Sequence, residues 1–150
     1  LEFRRVLFRS HDVFDSWGYT LSKISQSMNE LFTERLSIYS IDAREYGILS
    51  VVYKTPKLTQ KEIGIKMVVD RTTMMQLIDV LEKKKLINRE SNPKDRRQNL
   101  ITLTVKGREI VEKMWIEMEE VEKEVVGNMT LSQKKVFERI NAAMNRGERK

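Results

Sequence analysis

Residues 70–107 read DRTTMMQLIDVLEKKKLINRESNPKDRRQNLITLTVKG, and the spacing of their apolar residues changes once, after Leu86. Between Arg71 and Lys84, the residues Met74, Leu77, Ile78 and Leu81 recur three and four apart, the stripe of a helix buried along one side. Asp70 stands just before this stripe, where a carboxylate can accept from the first free backbone N–H groups of a helix. Beyond Leu86 the pattern shortens to two β-prone runs, 86–90 and 99–104. Between them lies Ser91-Asn92-Pro93-Lys94-Asp95-Arg96-Arg97-Gln98, which predicts a β-hairpin with a long, basic, polar tip.

Upstream, Thr59 and Glu62 form a capping-box pattern that starts a short helix through Met67, with Ile63 and Met67 on one face. Two short helices joined by three or four residues and followed by a hairpin describe a winged helix-turn-helix. Asp42 and Glu45 repeat the capping pattern for a preceding helix that carries Ile48, Leu49, Val52 and Tyr53 and stops at Thr55-Pro56. A long amphipathic helix is expected over 17–39. Downstream, Thr104 can cap another long helix, with Ile110, Val111, Met114, Trp115, Met118, Val121 and Val125 apolar, closed by Gly127-Asn128. Thr130 with Gln133 opens a last helix bearing Leu131, Phe137, Ile140 and Met144. The expected fold class is mainly α with a small β wing: a winged helix-turn-helix (about 55–108) between N- and C-terminal dimerisation helices (about 12–40 and 104–146).

Composition narrows function. The 150 residues contain no Cys and one His. That excludes disulfides, thiol catalysis, thiol redox sensing and Cys-based zinc sites, and leaves little for other zinc sites or a His-centred triad. No Gly-rich phosphate loop or metal-ligand cluster is visible, so no catalytic residue, cofactor or metal is assigned and an enzyme is not expected. No apolar run approaches the ~20 residues of a membrane span, so a cytoplasmic protein without a membrane partner is expected.

The first ten residues, LEFRRVLFRS, match codon for codon the translation of a familiar sequencing-library adapter. Residues 1–10 are therefore expected to be adapter-derived, with a single domain over 11–150 and the native amino terminus lost upstream of His11. Setting them aside lowers the net charge from +6 to +4, and the distribution is informative. Residues 11–54 hold 4 basic and 6 acidic side chains, 109–150 hold 8 and 9, and 55–108 hold 13 and 6. All of the positive excess falls on the helix-turn-helix and hairpin, where neutralising phosphates would require it.

On the helix from Arg71, Thr72 and Gln76 point directly away from the buried stripe, flanked by Thr73, Met75, Asp79 and Val80. Gln76 can pair bidentately with adenine N6/N7, Thr72 can bond a base edge or phosphate, and Met75 can pack on a thymine methyl; a good bidentate pair gives ~1–3 kcal/mol of discrimination. Arg71 and Thr73 complete this candidate reading face. Asp79 would repel phosphate unless it pairs with Lys83 or accepts from cytosine N4. Thr59 and Lys61 are candidate contacts to the DNA backbone. In the wing, Lys94, Arg96 and Arg97 can enter a narrow minor groove, with Asp95 expected to orient an Arg.

The 70–107 string resembles the MarR family of prokaryotic transcription factors. Its hairpin signature is present as Asp95, Arg97, Ile101, Leu103, Thr104 and Gly107. Lys85 stands where the family usually has Gly, which does not favour a left-handed cap there, and Gln76 where it often has Arg, which favours adenine over guanine. The resemblance implies a two-fold homodimer built from the first and last helices. It also implies a pseudo-palindromic double-stranded DNA operator and control by a small, often aromatic or phenolic effector. Tyr39, Tyr46, Tyr53, Met114, Trp115 and Met118 could line the effector crevice, although stripes of this kind at helical spacing are more often core. The expected function is a repressor relieved by such a ligand; the alternative is an interaction module that docks an acidic protein.

Overall fold

A computed structural model describes residues 13–127 and 129–147; the segment 1–10, His11, Asp12, Asn128 and the segment 148–150 lie outside the described residues. After one turn at Val13–Asp15 the order is α1 (Trp17–Ser37), α2 (Ala43–Lys54), β1 (Leu58–Thr59), α3 (Gln60–Met67), α4 (Arg71–Lys83), β2 (Ile87–Ser91), β3 (Asn99–Leu103), α5 (Val105–Val126) and α6 (Leu131–Gly147). The helices start where side-chain acceptors meet free backbone N–H groups. Asp42 with Glu45, and Thr59 with Glu62, close reciprocal capping boxes. Asp70 Oδ1 accepts from the N–H groups of Thr72 at 2.9 Å and Thr73 at 3.0 Å. Thr104 Oγ1 accepts from Gly107 N–H at 3.0 Å and donates to the Lys85 carbonyl at 2.8 Å, pinning the start of α5 to the end of α4. A cap of this kind contributes about 1 kcal/mol.

The strands form an antiparallel sheet in the order β1-β3-β2. The hairpin pairs Ile87 with Leu103 through to Ser91 with Asn99, as the sequence pattern predicts. The additional strand β1 pairs Leu58 with Ile101 and Thr59 with Leu100. Two residues carry no alternation to read, so this strand is invisible to periodicity.

The core gathers Ile48, Leu49 and Val52 of α2, Ile63 of α3, Met74, Ile78 and Leu81 of α4, Leu86, Ile87 and Ile101 of the hairpin, and Ile110, Val111 and Met114 of α5. It backs α4 from behind and leaves the opposite face open. A Cβ on Gly107 would lie 2.1 Å from the Leu86 carbonyl oxygen, so the approach of α5 to the hairpin requires glycine.

Lys85 adopts the left-handed conformation that its side chain does not favour, with φ 58°. Its N–H bonds Glu82 O at 2.9 Å and Leu86 N–H bonds Leu81 O at 3.0 Å, the two bonds of a Schellman cap. These bonds and the burial of Leu86 outweigh the ~1–2 kcal/mol that a non-glycine residue loses there. Val68 closes α3 in the same conformation, at φ 54°.

At the periphery, Val13, Phe14, Trp17 and Leu21 are exposed, as are Leu131, Val136 and Ile140 of α6. None of the described side chains of α6 is buried.

Candidate nucleic-acid interface

With Met74, Ile78 and Leu81 buried, α4 presents Arg71, Thr72, Met75 and Gln76 to solvent, while Thr73 is half-buried. The Asp70 carboxyl at the N-cap is held below the usual carboxylate range by the Thr73 hydroxyl first, then by the backbone N–H groups of Thr73 and Thr72. The exposed polar side chains of the first two turns are those of Arg71, Thr72 and Gln76.

Asp79 does not pair with Lys83, one of the two arrangements under which it would not repel phosphate. It binds the guanidinium of Arg89 on β2, whose Nη1 lies 3.1 Å from Glu82 Oε2. The pairing follows from packing: β2 runs beside α4, and a planar Arg fork spans two carboxylates one turn apart as the Lys83 ammonium cannot. The pair neutralises Asp79 toward phosphate and ties the wing to the helix.

In the wing, Asp95 Oδ1 accepts from the backbone N–H of Arg97 at 3.0 Å, and Oδ2 accepts from the Gln98 side chain at 2.9 Å. Asn92 Oδ1 accepts from Lys94 N–H at 2.9 Å. Asp95 thus shapes the loop backbone rather than holding an Arg side chain. Lys94, Arg96 and Arg97 are exposed, and none forms an ion pair among the described residues.

The wing and α3 share an open groove of about 560 Å³, lined in part by Lys57, Thr59, Lys61, Ile65, Lys94 and Leu100. It brings Lys61 and Lys94, anticipated on separate elements, to one cationic channel. Thr59 is buried and its hydroxyl donates to Glu62 Oε2 at 2.7 Å, so it serves as a cap rather than as a free donor. The Glu62 carboxyl is correspondingly lowered, by the Thr59 backbone N–H first and its hydroxyl second. Lys57, at φ 63° beside the unanticipated β1, joins the channel; its only sequence signal is its charge.

The six aromatic and Met residues anticipated for an effector crevice differ in exposure, and Tyr39, Tyr46 and Met114 share the core cluster. Tyr46 and Met114 are core, and Tyr39 and Met118 are half-buried. Tyr53 is exposed, with its hydroxyl donating to Glu112 at 3.1 Å and Arg108 over its ring, and Trp115 is 58% exposed. A second open groove follows the polar face of α1 past Ser22, Gln26 and Asn29, and neither groove is lined by any of the six. The Tyr46 and Ser50 hydroxyls, one turn apart on α2, are buried without a hydrogen-bond partner among the described residues.

A helix-turn-helix whose second helix shows an exposed, largely polar face, joined by an ion pair to a cationic hairpin, defines a winged helix-turn-helix protein. The model of the MarR family matches residues 39–98. The chain is 27% identical over 121 residues to the HTH-type transcriptional regulator PrsX of Escherichia coli, covering 79% of this chain and 73% of that one. It is 37% identical over 62 residues to a putative transcriptional regulatory protein for the hcr operon of Thauera aromatica, covering 41% and 37%. The reduced form of Escherichia coli MarR superposes with a TM-score of 0.77 at 25% identity, over 86% of this chain and 96% of that one. A mutant of the same protein, complexed with operator DNA, superposes at 0.74 with 24% identity, over 89% and 98%. Residues 39–98 thus carry the sequence of the MarR family of transcriptional regulators, within a chain that shares the winged helix-turn-helix fold of Escherichia coli MarR.

Proposed function

We propose that the chain is a homodimeric repressor that binds a pseudo-palindromic double-stranded DNA operator and is released by a small aromatic or phenolic ligand. The observation that carries DNA reading is the coincidence of the exposed Thr72, Met75 and Gln76 with a cationic wing and groove. In this reading Gln76 pairs with adenine and Thr72 and Met75 contact neighbouring base edges. Arg71 flanks them at the first turn. Lys57, Lys61 and Lys94 hold backbone phosphates, with Ile65 and Leu100 against the sugars, and Arg96 and Arg97 enter the flanking minor groove. The operator complex of Escherichia coli MarR, a protein of the same fold, supports this use of the fold.

Dimerisation is supported by apolar side chains left exposed on α1 and α6, which a second copy would cover. Ligand release draws support from the unpartnered Tyr46 and Ser50 hydroxyls, which could bond a phenol or carboxylate. A protein with this task works in the cytoplasm, beside the DNA.

The test is a footprint on genomic DNA with excess nonspecific competitor, repeated with a series of small aromatic acids. The expected result is protection of two half-sites about 10 bp apart, lost on adding one of the acids. Uniform protection, or none, would remove the DNA-reading function; protection insensitive to every acid would remove the ligand.

A further inference from the structure

The Lys84 ammonium sits at a junction that the DNA-reading face does not use. Lys84 is the C-cap of α4, and its Nζ donates to Glu45 Oε1 at 2.6 Å, Glu45 Oε2 at 2.8 Å and the Ser40 carbonyl at 2.6 Å. All three donors of the ammonium are thereby taken. Glu45 is 4% exposed, and its Oε2 also accepts from Asp42 N–H at 2.8 Å, closing the cap of α2. Ser40, in the corner after α1, is itself in the left-handed conformation at φ 55°. One cation therefore joins the exit of α1, the first turn of α2 and the last turn of α4. The Glu45 carboxylate is buried, where a hydrogen-bonded pair holds its geometry firmly and a lone charge is costly.

We propose that Lys84 is a positioning residue, which fixes the angle between α4 and the α1–α2 corner and so sets the separation at which two recognition helices engage DNA. The proposal rests on the dimeric DNA-reading function. If α1 is anchored to a second copy, α4 cannot swing relative to that anchor without stretching the bonds to Ser40 and Glu45. The Arg89 pair fixes the wing to α4, so helix and wing would move together about this junction. The shape of each reading head would then be unchanged, and only the distance between the two heads would become loose.

The test compares wild type, Lys84→Arg, Glu45→Gln and the double variant Lys84→Met with Glu45→Gln, which leaves no lone charge in the site. Affinity is measured for a selected two-fold duplex, for the same duplex with one base pair added or removed between half-sites, and for a single half-site. The expected result is that Glu45→Gln and the double variant bind the single half-site within about 2-fold of wild type. Both should lose about 10-fold on the two-fold duplex and discriminate less among spacings, whereas Lys84→Arg retains discrimination. A variant with lowered thermal stability and unchanged spacing preference overturns the proposal and assigns the junction to stability alone. Absence of any spacing preference in wild type overturns the dimeric reading itself, and the proposal with it.

Discussion

The reading head, from β1 to the start of α5, and the peripheral helices α1 and α6 are built from similar apolar stripes, yet they meet different fates. In the head each stripe finds its partner within the chain: Ile63, Met74, Ile78, Leu81, Leu86, Ile87 and Ile101 are all buried together. On the periphery, Leu21 of α1 and Leu131 and Ile140 of α6, apolar residues of amphipathic helices, remain exposed. The difference teaches that an amphipathic pattern specifies a face to be covered but not what covers it. Where the partner lies within the chain, the pattern resolves into a site. Where it lies outside, the pattern stops at a surface.

The largest expected effect concerns the joint between the two regions. Gly107→Ala forces a methyl group against the Leu86 carbonyl and should cost about 3 kcal/mol in denaturant unfolding. An unchanged midpoint would show that α5 is free to move relative to the head. Next, Gln76→Ala should cost about 2 kcal/mol on the preferred duplex, with relaxed choice at one base position in each half-site. A loss equal on all sequences would make Gln76 a backbone contact. Arg97→Ala should weaken binding on all sequences alike and lower the slope of log affinity against log salt by about one if Arg97 meets a phosphate.

Much of the head was legible because its signals are local. Caps at Thr59, Asp70 and Thr104, and the three-and-four spacing along α4, are each contained within a few residues. Contacts between distant residues were not. Arg89 with Asp79, Lys84 with Glu45, and the groove that joins Lys57 to Lys94 depend on which elements pack side by side. The proposed effector residues share helical spacing, yet Tyr46 and Met114 face the core while Trp115, one residue after Met114, turns outward. Lys85 shows the reverse case, in which tertiary bonds impose a backbone conformation that the residue type argues against.

Two smaller effects sharpen the contrast within the head. Lys85→Gly should raise stability by about 1 kcal/mol by removing the side-chain penalty of the left-handed cap, read as a shift in denaturant midpoint. A loss of stability would mean that the Lys85 side chain makes a compensating contact. The smallest effect is on acidification. The carboxyls of Asp70 and Glu62 ionise more readily folded than unfolded, so their contribution is complete above the ordinary carboxyl range near about 4 and is lost as pH falls through their lowered folded values. Asp70→Asn keeps a cap without the charge, so its thermal midpoint should fall less than that of wild type between about pH 6 and about pH 3. Equal falls would show that Asp70 plays no part in the acid sensitivity.

The central claim, that the exposed face of α4 reads base sequence, is tested most directly by selecting duplexes from a random library with wild type and with Gln76→Ala in parallel. Wild type should enrich an inverted repeat with an adenine at a fixed place in each half-site, and Gln76→Ala should enrich the same repeat with that place degenerate. No enrichment by wild type, or an identical repeat from both proteins, would contradict it.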